Sequence, residues 1–169
     1  MMQAAIMDAA LGDVRKVGDS YEVVFERRLA RPVAKVWAAL TDPARIAGWL
    51  ATARVDLRVG GRFELYWETH EHRMSGVIVE LEPLAVIAWT WPDTQHPDSV
   101  VRWQLFPDGD GTRLLLTQTG LTAPPLKDVA AGWHTHLEGL PAAVDGQATP
   151  WRAEREREIR RLYAGLSSA

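Results

Sequence analysis

The feature that most constrains the fold is an amphipathic stretch near the carboxyl end of the chain, residues 125–146. Its apolar residues recur at steps of three and four: Leu126, Val129, Ala130, Trp133, Leu137, Leu140 and Val144. This spacing is the period of an α-helix with one buried face. Proline suits the first turn of such a helix and Gly146 suits its end, whereas Pro141 lies inside the pattern. We therefore predict one long helix, bent near Leu140, that needs a sheet to bury its apolar face.

Most of the chain before this stretch has the composition of β-strands. A first strand begins at Ser20 and ends at Arg31–Pro32. Two short helices follow it, separated by a break at Thr41–Asp42–Pro43, where a cap residue precedes a proline. The next strand segments are ARVDLRV, RFELYWET, RMSGVIVELE, LAVIAWTW, VVRWQLF and TRLLLTQTG. Short turns such as Gly60–Gly61 connect them, which indicates an antiparallel meander.

The composition is that of one globular domain with terminal extensions. Hydrophobic residues make up 47% and charged residues 24% of the 169 residues. No apolar run approaches the ~20 residues that span a bilayer, so we expect no membrane insertion. The start of the chain lacks the basic segment of a secretory signal. The net charge of −3 argues against a nucleic-acid partner. The absence of cysteine excludes disulfides and thiolate metal sites and is compatible with a cytoplasmic location, which we expect.

Five motifs, in this order and spacing, resemble the START-like, or SRPBCC, helix-grip superfamily. They are RPVAKVWAALTDPARIAGWL, GGRFEL, GVIVELEP, GTRLLLTQTGL and AGWHTHLEGL. Within that superfamily they are similar to the branch named for the activator of heat-shock-protein ATPase, which also includes polyketide-cyclase-like and other small bacterial proteins. The resemblance extends from Tyr21 to Gly146. The eukaryotic chaperone activators carry a separate N-terminal domain, and we expect none in this chain.

The resemblance implies an α+β helix-grip fold, also called Bet v allergen-like. In it a curved antiparallel sheet of about six to seven strands wraps around a long C-terminal helix, with two short helices after the first strand. It also implies an apolar cavity between sheet and helix. We expect the START-like domain to occupy residues 20–146. Residues 147–169 would then form a C-terminal helical extension. Residues 1–19 would form a loosely docked N-terminal one, with weak helical spacing through Ile6, Ala9, Ala10 and Val14.

Eight tryptophans indicate what this cavity would bind. Strand alternation gives one shared face to Phe63, Leu65 and Trp67, and another to Trp89 and Trp91. The predicted cavity-lining, ligand-binding residues are Trp49, Phe63, Leu65, Trp67, Trp89, Trp91, Trp103, Gln118, Trp133 and Leu137. Walls of this kind, apolar with a few polar groups, are typical of small-molecule pockets. The alternative, that these side chains simply fill the core, stays open.

Several polar residues allow two interpretations each. Gln118 interrupts an apolar strand face and either anchors a ligand or faces solvent. His134 and His136 are two apart on the helix, so one would border the cavity and the other would face solvent. Glu64 and Tyr66 alternate with the apolar face and are expected to point away from the cavity.

A metal site is one interpretation of the polar residues at the tip of a predicted hairpin. Glu68, His70 and His72 alternate there, and carboxylate and imidazole are suitable ligands for zinc. Polar residues are nevertheless expected at a hairpin tip in any case. We predict no metal and no cofactor.

The sequence contains no GxSxG or HExxH motif, no phosphate-binding glycine loop and no cysteine nucleophile, so we assign no catalytic residues. We predict that the protein binds an apolar or aromatic small molecule without catalysis. One alternative is a polyketide cyclase- or aromatase-like enzyme that uses Tyr66, His70 or His136 in the same cavity. The other is an interaction protein similar to a chaperone ATPase activator.

The C-terminal segment is predicted to form an amphipathic helix with a stripe at Ile159, Leu162, Tyr163 and Leu166. Such a helix either packs on its own domain or forms a homodimer contact.

Overall fold

Eight antiparallel strands form the sheet of the computed structural model, which describes residues 11–122 and 126–165. Within these residues the strands are β1 Asp13–Val17, β2 Ser20–Leu29, β3 Thr52–Val55, β4 Arg62–Trp67, β5 His72–Glu82, β6 Val86–Thr90, β7 Val100–Asp108 and β8 Gly111–Leu121. Their order in the sheet is β1-β2-β8-β7-β6-β5-β4-β3. The meander from β3 to β8 therefore closes against β2 at one side. Register shifts in β2 and β5 add the bulges that help a sheet to curve.

Five helices accompany the sheet in the described residues. They are α1 Val33–Thr41, α2 Pro43–Ile46, α3 Leu126–Leu137, α4 Leu140–Val144 and α5 Ala153–Ala164. A 3₁₀ turn, Glu68–His70, follows β4. The architecture confirms the predicted α+β helix-grip fold, with eight strands instead of six to seven.

The break between α1 and α2 forms as the sequence predicts. The Asp42 side chain accepts a hydrogen bond of 3.1 Å from the backbone N–H of Ala44, and Pro43 occupies the first turn of α2. An N-cap of this kind satisfies a backbone donor that the helix itself leaves unpaired.

The predicted long helix is interrupted close to the expected place. α3 ends at Leu137, the N–H of Gly139 donates to the carbonyl of His136 at 3.0 Å, and α4 begins at Leu140. Pro141 has no N–H for the next helical bond, which makes the interruption a complete break instead of a bend. Gly146 follows α4 with φ of 81°, the left-handed conformation in which glycine commonly ends helices.

The N-terminal segment differs from the prediction. Residues 13–17 form the edge strand β1, paired with β2 through a turn at Gly18, so the helical interpretation of Val14 is wrong. All five residues of β1 are exposed, and an edge strand needs no alternating apolar face. Ile6, Ala9 and Ala10 lie outside the described residues.

The C-terminal helix α5 packs on α3. Ile159 and Tyr163 are buried there, and Arg155 and Glu138 form an ion pair of 2.6 Å between α5 and the end of α3. A homodimer through α5 stays a prediction and would have to use the charged face of this helix. The division of the chain into a domain and two extensions also stays a prediction. None of the described helices combines the length and the hydrophobicity needed to cross a bilayer.

Candidate ligand-binding cleft

Aromatic rings form a continuous cluster between the sheet and α3. Phe63 and Trp89 are stacked with centroids 3.8 Å apart. Trp103 makes edge contacts with Trp49 and Trp133 at 5.6 and 5.5 Å. From Trp133 the contacts continue through Trp91 to Trp67, at 5.2 and 5.8 Å. These rings converge because alternate residues of β4, β6 and β7 face α3.

Gln118 is a structural part of this cluster. Its side chain is 4% exposed, its Oε1 accepts from Trp133 Nε1 at 2.6 Å, and its Nε2 donates to Ser99 Oγ at 2.8 Å. A buried amide needs such partners. Both ends of the amide are thus bonded within the protein, and a ligand-anchoring role for Gln118 stays a prediction.

A solvent-connected cleft of about 480 Å³ opens beside this cluster. One wall consists of residues 47–52, between α2 and β3, together with residues 66–70 and His72 around the turn after β4. The rest of the lining consists of Gly132 and His136 of α3, Thr149 and Trp151 of the following segment, and Glu156 of α5. The volume is within the range that small-molecule ligands occupy.

Two of the ten predicted site residues, Trp49 and Trp67, line this cleft. The other eight are packed in or against the hydrophobic core and do not border the cleft: Phe63, Leu65, Trp89, Trp91, Trp103, Gln118, Trp133 and Leu137. The expectation that all ten line one cavity is therefore corrected for this cleft. Alternation shows which side chains share a face, but it does not show whether neighbouring rings fill the space between them.

Of the two histidines on α3, His136 is the one that borders the cleft. Its Nδ1 lies 3.1 Å from the backbone carbonyl oxygen of Trp49, and its ring lies 4.8 Å from the ring of Trp151 and 6.5 Å from that of Trp67. Burial lowers the pKa of His136 to about 4, against the opposing effect of the hydrogen bond to the Trp49 carbonyl and with a smaller lowering contribution from the neighbouring His70. The imidazole is therefore neutral at physiological pH.

His134 does not face solvent, so that expectation is wrong. It is 1% exposed, its Nδ1 is 2.8 Å from the Tyr163 hydroxyl, and its ring meets Phe25 edge-on. The same hydroxyl accepts from the N–H of Gly12 at 2.7 Å. Burial, and then the charge of Arg27, lowers the pKa of His134 to about 4. The Tyr163 hydroxyl thus connects Gly12 and α5 to His134 on α3. His134 does not border the cleft.

Gly132 keeps one part of the α3 wall open. A Cβ atom built at this position would meet no other atom within 4 Å, so the backbone here faces empty space. Glycine inside a helix costs roughly 0.5–1 kcal/mol relative to alanine. The sequence pattern did not single out Gly132, Thr149, Trp151 or Glu156.

Polar residues of the β4–β5 turn also border the cleft. Tyr66, expected to point away, contributes to the wall, whereas Glu64 does not border it. Glu68, His70 and His72 all contribute to it. In the part of the chain that the structure describes, however, no three histidine, aspartate or glutamate side chains come close enough to hold a metal ion.

Comparisons with known proteins agree with this fold. CalU16 from Micromonospora echinospora is 29% identical with a TM-score of 0.75, over 95% of this chain and 98% of that one. The protein encoded by gene BPP1335 from Bordetella parapertussis is 28% identical with a TM-score of 0.72, over 93% and 92%. EF2215 from Enterococcus faecalis is 19% identical with a TM-score of 0.76, over 98% and 94%, and shows the fold alone. No curated protein matches the sequence significantly.

The sequence match to a protein family is more specific. Residues 30–145 match the family described as "Activator of Hsp90 ATPase homolog 1-like protein", from the end of the first long strand to the end of α4. This span includes both short helices, the meander from β3 to β8 and the helix that the sheet grips. The chain therefore belongs to the Activator of Hsp90 ATPase homolog 1-like family, within the START-like helix-grip superfamily.

Proposed function

We propose that this protein binds an apolar or aromatic small molecule in the cleft and catalyses no reaction on it. The observation that carries the proposal is the lining itself, in which tryptophans from three separate segments, Trp49, Trp67 and Trp151, border one space of about 480 Å³. Aromatic rings supply large apolar area at low entropic cost. A ligand that buried ~200 Å² of apolar surface there would gain roughly 5 kcal/mol before the costs of association.

Binding is favoured over catalysis by the state of His136. A general base works best when its pKa is near the operating pH. With a pKa of about 4, His136 holds a proton too weakly to drive proton abstraction at neutral pH. A cyclase- or aromatase-like reaction would have to depend on other groups of the cleft. Turnover of a polyketide-like substrate that disappears when Tyr66 or His70 is replaced would support that alternative against ours.

The family match supports a second candidate, activation of a chaperone ATPase. This function would work through the surface of the protein and would not need the cleft. It predicts that the ATPase rate of an Hsp90 chaperone rises when the protein is added. An unchanged rate at saturating protein would remove this candidate.

The binding proposal is tested by filling the cleft from Gly132. Naphthalene binding, followed by tryptophan quenching and by the thermal midpoint, is compared for the unchanged protein, Gly132→Leu and Gly165→Leu. We expect Gly132→Leu to lower the affinity at least tenfold while the protein remains folded, because its side chain enters the open space beside α3. Gly165, exposed at the end of α5 with φ of −67°, provides the same substitution away from the cleft.

The unchanged protein should gain thermal stability with ligand, since a ligand that binds only the folded state stabilises it by mass action. Equal affinities of the two leucine variants would place the binding elsewhere. No binding of naphthalene by the unchanged protein would count against the proposal itself.

A further inference from the structure

We propose that the cleft selects aromatic ligands that carry a neutral hydroxyl group, and that Nε2 of His136 accepts the hydrogen bond from that hydroxyl. This inference rests on the function proposed above and specifies the ligand class. It follows from the tautomer of His136, from the rings beside it and from the charges that line the cleft.

The backbone of Trp49 determines the tautomer. Its carbonyl oxygen lies 3.1 Å from His136 Nδ1, and a carbonyl can only accept a hydrogen bond. Nδ1 therefore carries the proton and donates it to this carbonyl. In a neutral imidazole the other nitrogen then has a free lone pair, so Nε2 is an acceptor. The low pKa of the ring, about 4, keeps this arrangement at neutral pH.

Nε2 is available to a ligand. Among the residues that the structure describes, no group donates a hydrogen bond to it. The buried side-chain nitrogens that have neither a partner nor solvent contact do not include this atom. The nitrogen is therefore in contact with solvent at the edge of a ring that borders the cleft. Bringing a hydroxyl to this atom would satisfy an acceptor that only water can satisfy otherwise.

The surroundings of the imidazole favour an aromatic carrier for the hydroxyl. Trp151 lies 4.8 Å from the His136 ring, tilted by 38°, and Trp67 lies 6.5 Å from it. A flat ring that reached Nε2 would thus have two indole rings close by, where aromatic contacts add to the burial of apolar area.

The charges of the cleft disfavour acids. Glu68 and Glu156 are among its lining residues, whereas none of the described lining residues is a lysine or an arginine. Recognition of carboxylate or phosphate normally uses these two cations. A carboxylate would also meet the lone pair of Nε2, which repels it. The geometry therefore points to phenols and related neutral aromatic alcohols.

Three ligands of nearly equal size test this selectivity: 2-naphthol, 2-methylnaphthalene and 2-naphthoate. Their affinities for the unchanged protein are measured at pH 7 by calorimetry. One net hydrogen bond should make 2-naphthol bind about three- to tenfold more tightly than 2-methylnaphthalene, with 2-naphthoate the weakest. Binding of both neutral ligands with equal affinity would overturn the inference but leave the proposed function standing. No binding of any of them would overturn both.

Two substitutions assign the preference to one nitrogen. His136→Asn places an amide where Nδ1 lies, so it can still donate to the Trp49 carbonyl but has nothing at the position of Nε2. His136→Gln places its amide near the position of Nε2. We expect the ratio of 2-naphthol affinity to 2-methylnaphthalene affinity to fall to about one in the asparagine variant and to rise again in part in the glutamine variant. A preference that persists in the asparagine variant would contradict the assignment.

A spectroscopic readout needs no substitution. In the unchanged protein, the ¹⁵N resonance of His136 Nε2 should be that of an unprotonated nitrogen and should move on addition of 2-naphthol. It should move far less with 2-methylnaphthalene. A resonance of a protonated Nε2 at pH 7, or equal responses to the two ligands, would show that this nitrogen does not accept the hydroxyl.

Discussion

Single polar side chains determine how the interior of this protein is held together. Gln118 bonds both the indole of Trp133 on α3 and the hydroxyl of Ser99, just before β7. These hydrogen bonds attach α3 to the middle of the sheet in addition to the apolar contacts between them. A buried donor that loses its partner costs more than the bond itself contributes. We therefore expect Gln118 to be more important for stability than its modest size suggests.

Replacing Gln118 by leucine tests this. The change keeps the volume but leaves the buried Trp133 N–H without an acceptor, so the free energy of unfolding should fall by about 1–3 kcal/mol. Denaturant unfolding provides the measurement. Thr119→Ala, at the exposed neighbouring position of β8, is the control and should change stability by less than about 0.5 kcal/mol. Equal losses in the free energy of unfolding for the two substitutions would show that the Gln118 amide contributes no more to stability than an exposed side chain of the same strand.

The two histidines of α3 predict a pH dependence. The pKa values of His134 and His136 are lowered from 6.5 to about 4 in the folded protein, mainly by burial. Between these values the unfolded chain binds protons that the folded protein does not, so stability falls as the pH falls from 6.5 to about 4. Denaturant unfolding at pH 7, 5.5 and 4.5 measures this loss. His134→Gln, which cannot titrate, should reduce the slope, and an unchanged slope would contradict the assignment.

At the scale of elements, residue periodicity predicted most of what forms. The spacing from Leu126 to Val144 indicated the gripped helix, and Asp42–Pro43 indicated the break between α1 and α2. Both predictions depend on residues that are close together in the sequence, so the sequence alone is sufficient to make them. β1 was missed because an exposed edge strand carries no alternating signal. The complete break before α4 depends on whether the residues around Pro141 find other partners, which periodicity does not determine.

Helix α5 stabilises an element at the other end of the chain. The Tyr163 hydroxyl bonds both the N–H of Gly12, just before β1, and the imidazole of His134. The first strand is thereby attached to the last helix. Neither bond has a signature in the sequence, since the three residues are far apart along the chain.

Tyr163→Phe should show this attachment. The substitution keeps the buried ring but removes the acceptor for Gly12 and the partner of His134. We expect a loss of about 1–3 kcal/mol of stability and faster amide exchange at Gly12. Arg161→Ala, exposed on the same helix, is the control. Amide exchange at Gly12 that stays as slow as in the unchanged protein would mean that β1 is held by its pairing with β2 alone.

At the scale of the whole molecule, the sequence predicted the grip and the aromatic cluster but misplaced the cleft. The inward faces of β4, β6 and β7 were assigned correctly, because burial of alternate residues follows from period two. Whether Trp89 and Trp103 line a space or fill it depends on ring packing, which is a three-dimensional property. The sequence did not indicate Trp151 as a lining residue, because it precedes α5 in a segment without a repeating pattern.

Trp151→Ala should weaken naphthalene binding by about three- to tenfold, because the ring beside His136 would be lost. The loss of stability should be smaller than for a fully buried tryptophan, since Trp151 is 38% exposed. Quenching of the remaining tryptophans measures the affinity. Leu84→Ala, which removes an exposed apolar side chain away from the cleft, should leave the affinity unchanged. Affinity that is insensitive to the loss of Trp151 would show that this ring takes no part in binding.

The position of Trp151 and Glu156 has an evolutionary consequence. Both come after residue 145, where the family match ends, yet both border the same space as residues within it. Part of the cleft lining thus lies in the segment that follows the matched residues, outside the sheet and α3. Relatives that share the matched span can therefore differ in this part of the lining and, with it, in the ligand that the proposed site would select.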